Sequence, residues 1–502
     1  MSFLVVGLSV WTAIQTARYV LAAGALRFHV ETATVFFIAA GLFATALKDK
    51  PPILARPAPG AEPLPIWNVL LWLLLALVVY FRAIRIGFLS DDFVLADHAI
   101  RGDIGLVNPQ LFRPVPLLLW AAILRAHAGA VGLHLVNVLL HGANCYLTTR
   151  IITPYVPSRS AAVLAGFVVL TFPLNPEAVV WASGVFDVMA TTWVAVAVLI
   201  ARQYGSMPSV RRRIALLACG IAALLSKETA AVLPVLLILD MWATGHRSRT
   251  LLVDVSCMMA FNAAVGVARL YTAPGMLKQP LGKFMLQRWV FDTFGSPALP
   301  WHANVIEQRP FAALVPPLLC LGLLTAYFLT PGAANRRRAV PAMALWMLVS
   351  TLPVITIIGV GPDLQGARYM YLPGIGWAGL IACFASSEYG TRARMALSAA
   401  ALVIIAAYLV GLRVHFVPWQ KAAALRDHVE RVAASDGRMT SCQKVSIAGV
   451  PDNVEGAYVL RNGAVEAFAR DTGIEVSPDA SRDCSFIWNA ERGFHSLTPS
   501  VH

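Results

Sequence analysis

Three carboxylates and a histidine follow the apolar segment Ile66–Phe81, in the stretch Gly87–His98. This stretch reads GFLSDDFVLADH, so Asp91 and Asp92 are adjacent. Placing a charged side chain in hydrocarbon costs free energy. Acidic residues beside an apolar segment of this length therefore indicate either the end of the segment that reaches water or a functional site. Ser-Asp-Asp before an apolar run is also an ordinary helix N-cap, so a solvated loop with capping aspartates is the alternative interpretation.

Other unusual polar residues lie at the ends of apolar segments. Arg113 precedes a proline near the acidic stretch, and His134, Asn137 and His141 share one helix face at spacings i, i+3 and i+7. Asn137 and His141 are candidates for substrate contact. Hydrogen bonding between helices inside a bundle is the alternative role for both.

The short loop Asn175–Gly184 carries Glu177 and Trp181, and Asp187 lies one turn into the next apolar segment. An indole face offers apolar stacking, and a carboxylate accepts hydrogen bonds from hydroxyl groups. The pair is therefore suited to contact with a sugar. A proline turn with an interfacial aromatic anchor is the alternative.

Two further motifs carry cations. Lys227 and Glu228 interrupt two apolar runs, which indicates either a solvated hairpin tip or a cation placed for a lipid phosphate. Arg368 stands beside aromatic residues at the entrance to a later apolar segment. Arginine pairs with phosphate through two parallel hydrogen bonds, and Tyr369 and Tyr371 could line a sugar or lipid pocket.

The composition indicates a polytopic membrane protein. Of the 502 residues, 58% are hydrophobic and only 13% are charged, with a mean hydropathy of +0.66. The net charge of +13 does not indicate nucleic-acid binding. Residues 413–502 carry ten Lys or Arg against eleven Asp or Glu, so the excess positive charge lies outside this part of the chain. The excess lies in short clusters between apolar segments, as the positive-inside rule requires: Lys48/Lys50, Arg211–Arg213, Arg247/Arg249, Arg336–Arg338 and Arg392/Arg394.

The sequence predicts an all-α polytopic membrane protein of about 13 transmembrane helices with a small C-terminal α/β extramembrane domain. Residues 1–64 are assigned to a helical hairpin and a cytoplasmic linker. Residues 65–412 form the transmembrane domain with a first outer loop at 87–130, and residues 413–502 form the C-terminal domain. Beyond the hairpin, spans are predicted at 66–81, 132–151, 160–174, 185–202, 213–226, 229–244, 250–271, 311–330, 341–360, 371–388 and 395–412. These crossings place the basic clusters on one side of the membrane.

The C-terminal residues show soluble-domain patterning. Trp419–Ala434 has the spacing of an amphipathic helix, and Lys444–Ala448 and Ala457–Leu460 are strand-like. Cys442 and Cys484 are the only cysteines of this part, and the predicted compartment is oxidising. We therefore expect them to form a disulfide.

Taken in order, these motifs resemble those of the GT-C membrane glycosyltransferases. The sequence is most similar to the O-mannosyltransferase-like group that carries tetratricopeptide repeats in animals, and to its bacterial relatives. The resemblance covers roughly residues 66–412 and rests on the order of six motifs: Asp91-Asp92, Arg113-Pro114, HLVNxLLH from His134, NPEAVxW from Asn175, Ser226-Lys227-Glu228, and ARYxYLP from Ala367.

The resemblance implies a polyprenyl- or dolichyl-phosphate sugar donor, an inverting transfer and an aspartate of the first loop as catalytic base. By match, Asp91 and Asp92 take the catalytic role, with Asp91 favoured as base, and Lys227, Glu228 and Arg368 fall on donor-side motifs. The sequence departs from the group in two ways. It has Val185-Phe186 before Asp187 where the repeat-bearing relatives tend to have an arginine, and it has a small C-terminal domain instead of repeats.

We therefore expect transfer of a sugar from a polyprenyl-phosphate donor to a hydroxyl acceptor on a protein, lipid or glycan. The site and the C-terminal domain would face the periplasm from a bacterial inner membrane. The sequence identifies no cofactor with certainty, and a divalent metal ion is left open. A lipid or solute transporter and a membrane scaffold are the alternatives; against transport, the polar residues gather at one face and no inverted repeat is visible. The residues expected to bind phosphate are Lys227 and Arg368, and those expected to bind substrate are Arg113, Asn137, His141, Glu177, Trp181, Asp187, Glu228, Tyr369 and Tyr371.

Overall fold

A computed structural model describes residues 68–103, 112–204, 208–246, 248–272, 283–329, 338–355, 359–385, 391–477 and 484–496. The predicted N-terminal hairpin and linker lie outside the described residues. The first half of the described chain is helical: α1 (Asn68–Tyr80), α2 (Asp91–Arg101), α3 (Pro114–Arg125), α4 (Gly129–Ile152), α5 (Arg159–Thr171), α6 (Pro176–Val179), α7 (Val185–Arg202), α8 (Val210–Ser226) and α9 (Leu233–Thr244).

The second half continues with helices of very different lengths: α10 (Arg249–Thr272), α11 (Lys283–Ala298), α12 (Ala303–Gln308), α13 (Pro310–Leu329), α14 (Ala339–Thr351), α15 (Pro373–Ala385), α16 (Thr391–Ser435), α17 (Gly437–Thr440) and α18 (Ala464–Asp471). Short 3-10 helices extend or link several of them: Phe81–Arg85, Thr153–Tyr155, Ala182–Gly184, Glu228–Val232, Leu352–Val354 and Ala367–Met370.

Helix α4 lies at the centre of the bundle and packs against α1, α5 and α7. Its contact with α1 is close enough to require a glycine. A Cβ on Gly142 would lie 2.8 Å from the carbonyl oxygen of Trp72. Small residues that let helix backbones approach in this way are typical of helix packing in membranes, where the packing itself drives association.

The opposite face of α1 is apolar and exposed. Leu70, Leu74 and Val78 are spaced four residues apart, and between 58% and 70% of each is exposed. A contiguous apolar stripe of this kind fits a surface that faces lipid, because soluble proteins rarely leave one uncovered. Among the described residues, five helical segments are long and apolar enough to cross a membrane: Asn68–Arg85, Gly129–Tyr155, Ala182–Arg202, Arg249–Ala268 and Ala399–Ser435.

The predicted helical class is confirmed, whereas the number of crossings stays a prediction. Two of the thirteen predicted spans lie outside the described residues, and each of the other eleven overlaps a helix. Several of those helices have 17 residues or fewer, which is shorter than the ~20 residues that a perpendicular span needs.

The last predicted span and the predicted amphipathic helix are one continuous helix. α16 runs for 45 residues and carries Pro418 in its interior. Local sequence favours a break near a proline, which costs about 3 kcal/mol inside a helix. α16 nevertheless continues through Pro418, and its neighbouring residues Phe416, Trp419 and Ala422 are buried. The helix therefore joins the bundle directly to the C-terminal region.

The C-terminal region contains the predicted strands in shortened form. β1 (Ser446–Ala448) pairs in parallel with β4 (Ser485–Asn489), which pairs antiparallel with β5 (Gly493–Ser496). A separate hairpin joins β2 (Asn453–Val454) to β3 (Ala457–Tyr458). The predicted disulfide is confirmed, because Cys442 and Cys484 are bonded with their Cα atoms 6.0 Å apart.

Candidate active site

The loop before α2 has a strained backbone at Ser90. Its φ of 52° and ψ of −119° lie in a region that residues with a Cβ rarely adopt. The C-terminal region holds it: the Ser90 amide donates to the Val459 carbonyl oxygen at 2.8 Å, and the Asn462 amide donates to the Ser90 hydroxyl oxygen at 3.2 Å. A Cβ on Gly463 would lie 2.6 Å from the Ser90 carbonyl oxygen. Such strain persists only where the surroundings fix it.

The other side of this loop is held through its carbonyl oxygens. Three consecutive carbonyls, at residues 87–89, each accept a hydrogen bond from the side chain of a different element. The donors are His134 Nε2 at 2.9 Å, Arg426 Nη1 at 2.7 Å and Trp181 Nε1 at 3.1 Å. Because an N–H must face each carbonyl, His134 carries a proton on Nε2. The loop is therefore fixed from the bundle and from α16 together.

Asp92 is enclosed. Its side chain is 0% exposed, and it accepts hydrogen bonds from the Leu89 amide at 2.9 Å, the Ser183 amide at 2.8 Å and the Ser183 hydroxyl. Burial raises the pKa of Asp92 to about 7, against the opposing effect of these donors. The residue ties the start of α2 to the 3-10 turn Ala182–Gly184.

Asp91 is the carboxylate of the pair that reaches solvent. Its Oδ1 accepts a hydrogen bond from Asn462 Nδ2 at 2.6 Å and a long one from the Ser90 hydroxyl at 3.4 Å. Among the described residues, none donates to its Oδ2. The two adjacent aspartates thus have different surroundings, and only Asp91 has an oxygen available to a second molecule.

Buried and half-buried charges gather beside this loop as ion pairs. Lys227 Nζ and the Asp187 carboxylate are in direct contact, and both side chains are at least nine-tenths buried. The remaining pairs are less enclosed, and each joins distant parts of the chain: Arg113 with Glu228, and Arg368 with Glu177 at 3.3 Å.

The charges of the three pairs act on one another, and the effect is clearest for the pKa values of Lys227 and Glu228. Burial lowers the pKa of Lys227, the adjacent Asp187 opposes that shift, and Arg368 and Arg113 add to it. Burial would raise the pKa of Glu228, but the charge and hydrogen bonds of Arg113 outweigh burial and hold it at about 2. All three carboxylates and all three cations thus compensate one another.

Two aromatic rings complete the cluster. The Arg368 guanidinium lies 5.1 Å from the ring centroid of Trp181 and 5.4 Å from that of Tyr369, and Lys227 Nζ lies 5.3 Å from the same tyrosine ring. Trp181 also donates to the loop that carries Asp91. The segment from Trp181 to Asp187 therefore connects the loop before α2, here called the acidic loop, to Lys227 and Arg368.

Three residues expected to bind substrate are buried in the bundle instead of lining this cluster. The Asn137 amide donates to the carbonyl oxygens of Ala178 and Val179 at 2.9 Å and 3.0 Å and to that of Trp181 at 3.2 Å. A hydrogen bond of 2.7 Å joins His141 Nδ1 and the hydroxyl of Tyr371. None of the three is more than 4% exposed. In this structure they position helices and the Asn175–Gly184 loop.

Residues of the C-terminal region were absent from the sequence-based site. Asn462 contacts Asp91, and the Tyr458 hydroxyl donates to Glu177 Oε1 at 3.0 Å. In the sequence, Asn462-Gly463 indicates only a turn, and Tyr458 only a strand. Their contacts join residues 281 to 372 positions apart, which no local pattern encodes.

Within the described ranges, no three His, Cys, Asp or Glu side chains are arranged to hold a metal ion. The fold defines the class of protein: the described part of the chain is mostly helical, with five helices long and apolar enough to cross a membrane and a small strand-containing C-terminal region. No protein-family model matches the sequence, and no curated protein matches it significantly.

Proposed function

We propose that this protein is an integral membrane glycosyltransferase that moves a sugar from a polyprenyl-phosphate donor to a hydroxyl group of an acceptor. The observation that carries the proposal is the contrast between the two adjacent aspartates. Asp92 is enclosed by three donors, whereas Asp91 keeps one carboxylate oxygen available at the surface. A partly exposed carboxylate held in a strained loop is suited to act as a base.

The cation cluster supports a phosphate-linked donor. Arginine has five N–H donors and lysine three. Within the described part of the chain, Arg113 uses two of its five for Glu228, and Lys227 uses one for Asp187. The remaining donors of Arg113, Lys227 and Arg368 could bind phosphate oxygens without breaking these pairs. Such preorganised positive groups stabilise the charge that develops on a departing phosphate.

The transfer step follows from these assignments. The acceptor hydroxyl gives its proton to Oδ2 of Asp91 as its oxygen attacks the anomeric carbon. The bond between that carbon and the phosphate oxygen breaks, and polyprenyl phosphate leaves with the bonding electron pair. Attack opposite the leaving group inverts the anomeric centre. A normal aspartate is a weak base, so the proton moves late, as the new bond forms.

The basic clusters between the helices favour a location in a bacterial inner membrane, with Asp91 and the C-terminal region facing the periplasm. The disulfide between Cys442 and Cys484 supports that side, because disulfides persist in oxidising compartments. The other side of the membrane would then carry the basic residues.

The decisive experiment is transfer from a synthetic polyprenyl-phosphate sugar by purified protein. Asp91→Asn is nearly isosteric and still accepts the Asn462 hydrogen bond, but it takes up no proton; we expect transfer to fall at least a hundredfold, the usual contribution of a general base being 10²–10⁴. Glu491→Gln, at an exposed position of the C-terminal region, is the matched control.

A melting temperature equal to the parent's would show that Asp91→Asn affects the reaction and not folding. Full transfer by Asp91→Asn would rule out this mechanism. The transporter alternative would replace the glycosyltransferase proposal under one result. In that result neither the parent nor any variant transfers sugar, but the parent moves lipid-linked sugar across vesicle membranes.

A further inference from the structure

A short segment of the C-terminal region, Gly456–Gly463, contacts the site on two sides. Its later residues hold the acidic loop, as described above. Its earlier part reaches the ion pair between Glu177 and Arg368, because the Tyr458 hydroxyl donates to Glu177 Oε1 at 3.0 Å. The same oxygen lies 3.3 Å from Nη1 of Arg368. Tyr458 and Arg368 therefore share one carboxylate oxygen.

The Arg368 guanidinium is less engaged than the other two cations beside the acidic loop. Arg113 donates two hydrogen bonds to a carboxylate, and Lys227 donates one. Among the described residues, none accepts a hydrogen bond from the Arg368 guanidinium, whose contact with Glu177 is long and involves a single nitrogen. Arg368 is also the most exposed of the three cations, at 23% against 18% for Arg113 and 5% for Lys227. It therefore keeps the most N–H groups for an anion.

Glu177 tolerates this loose pairing because two other groups donate to it. The backbone amide of Arg368 donates to Oε2 at 3.0 Å, and the Tyr458 hydroxyl donates to Oε1. Only 4% of the Glu177 side chain is exposed, so water does not readily replace a lost donor. A buried carboxylate that loses a donor is destabilised, and Arg368 Nη1 is within reach of the same oxygen. Loss of the hydroxyl should therefore draw the guanidinium onto Glu177.

The packing of Tyr458 keeps its hydroxyl on Glu177. The ring centroid of Tyr458 lies 4.8 Å from that of Trp181 and 6.1 Å from that of Trp419, and all three rings are buried. Burial, together with the charge of Glu177, raises the pKa of Tyr458. The hydroxyl therefore keeps its proton at neutral pH and acts as a donor to the carboxylate.

We infer that Tyr458 is a positioning residue for donor binding: its hydroxyl occupies Glu177 Oε1, prevents a two-bond pair between Glu177 and Arg368, and so leaves the guanidinium available to the donor phosphate. The inference rests on the proposed function for the identity of that phosphate. The competition for one carboxylate oxygen rests on the contacts above. Tyr458 does not touch the reacting atoms in the proposed step, and it acts through Glu177 and Arg368.

A pair of substitutions separates this role from packing. Tyr458→Phe keeps the aromatic ring against Trp181 and removes only the hydroxyl, so Glu177 should pair with Arg368 in competition with phosphate. Glu177→Gln is nearly isosteric and removes the charge that competes. In the double variant the guanidinium has no carboxylate to pair with, so phosphate binding should return although the hydroxyl is still missing.

Tyr204→Phe is the matched control. The Tyr204 hydroxyl donates to Asp254 Oδ2 at 3.0 Å, and Asp254 pairs with Arg213, so the substitution removes the same kind of contact. Tyr204 follows the C-terminal end of α7, whereas Asp187 lies at the start of that helix. The control therefore perturbs a tyrosine, a carboxylate and an arginine at the other end of α7.

The measurement is the Kd of citronellyl phosphate, a short isoprenyl phosphate, for the purified full-length protein in detergent, by phosphorus NMR titration. We expect about tenfold weaker binding by Tyr458→Phe, the factor that corresponds to one hydrogen bond, and binding at least as tight as the parent's by the double variant. Tyr204→Phe should bind like the parent. In transfer assays, Tyr458→Phe should raise the KM for the polyprenyl-phosphate sugar about tenfold with little change in kcat, since binding before the reaction is what is lost.

Parent-like binding by Tyr458→Phe would overturn the inference, and so would absence of binding by the parent. A loss that Glu177→Gln does not reverse would overturn it as well, because the hydroxyl would then serve local structure alone. Failure of the proposed function would look different: citronellyl phosphate would bind with the expected pattern, which supports the role of Tyr458, while no protein transferred sugar. Transfer by Tyr458→Phe with the parent's KM would contradict the inference and leave the proposed function in place.

Discussion

At the scale of single residues, the contact between Asn462 and Asp91 fixes one oxygen of the proposed base. Asn462 Nδ2 lies 2.6 Å from Oδ1 of Asp91 and holds that oxygen, whereas among the described residues none donates to Oδ2. Asn462 does not touch the reacting atoms in the proposed step. It is therefore a positioning residue that acts through Asp91.

Asn462→Ala should lower kcat about tenfold with little change in the KM for donor, because the base remains but its orientation is lost. Asn462→Asp should move the pH dependence of transfer to higher pH, since a second carboxylate at this distance raises the pKa of the pair. Both profiles are measured with purified protein and synthetic donor. A purely structural role would lower melting temperature without displacing the pH profile.

Asp92 should make stability depend on pH. Its pKa is about 7 in the folded protein, against 3.8 for an ordinary aspartate, so the folded state binds the proton more tightly. The free energy of unfolding should therefore fall as pH rises from about 4 to 7, by at most about 1.4 kcal/mol per pH unit, and become level above pH 7. Below about pH 4 both states are protonated and the effect is complete.

Melting temperatures of the parent and of Asp92→Asn between pH 4 and pH 8 check this expectation. Asn does not titrate, so the difference between the two proteins should change across the window. Parallel curves would show that Asp92 keeps an ordinary pKa.

At the scale of secondary structure, ion pairs join elements that are far apart in the sequence. Lys227, in the link between α8 and α9, pairs with Asp187 at the start of α7. Both side chains are buried, so removing one partner leaves the other as an uncompensated charge, which costs about 3–5 kcal/mol. Replacing both by apolar residues of similar size is often neutral.

This difference separates the structural role of Lys227 from its proposed role. Lys227→Met should lower both melting temperature and transfer. Adding Asp187→Leu should restore the melting temperature but not transfer, if the lysine stabilises the departing phosphate. Recovery of transfer in the double variant would show that the lysine serves folding alone. Thermal unfolding and donor turnover on the same preparations give the answer.

The helices were predictable because their apolar residues recur over long stretches, and eleven predicted spans each overlap a helix. The long course of α16 was not predicted, since burial of Trp419 and its neighbours is a tertiary effect that overrides the local preference at Pro418. Likewise, sequence spacing shows which residues share a helix face, but not that Arg113 meets Glu228 115 positions later.

Some of the residues assigned to the site could be identified from the sequence, and the roles of others could not. Glu177, Lys227 and Arg368 were found because charges stand out in apolar surroundings. His141 and Asn137 stood out for the same reason, yet Asn137 Nδ2 and His141 Nδ1 form hydrogen bonds with other parts of the protein. A polar side chain in a membrane helix marks a needed hydrogen bond, and only the three-dimensional structure shows whether the partner is protein or ligand.

At the scale of the whole molecule, the orientation in the membrane is open to a direct test. Ser90 and Asn175 lie in the segments assigned to the periplasmic side, but they are only 1% and 2% exposed, so cysteines there would react poorly. Exposed positions of the same side serve better. Asp103 and Asp452 are suitable, with Ser160 as the exposed position expected on the cytoplasmic side.

Single cysteines at Asp103 and Asp452 should react with an impermeant maleimide in intact cells, and one at Ser160 should react only after permeabilisation. The parent protein gives the background from its own cysteines. Labelling of Ser160 in intact cells would reverse the orientation and place Asp91 in the cytoplasm.

The hydrogen bonds between the C-terminal region and Ser90 can form only late in synthesis of the chain. The hydrogen bond from Asn462 to Ser90 spans 372 residues, so ribosomes working at about 5–20 residues per second reach the partner roughly 20–70 s after Ser90 is made. During that interval the helices around Asp91 can insert, but the acidic loop lacks the contacts that hold its strained backbone. Under the proposed function, a chain that stops before Asn462 should therefore not transfer sugar, because it lacks the hydrogen bonds that hold Ser90.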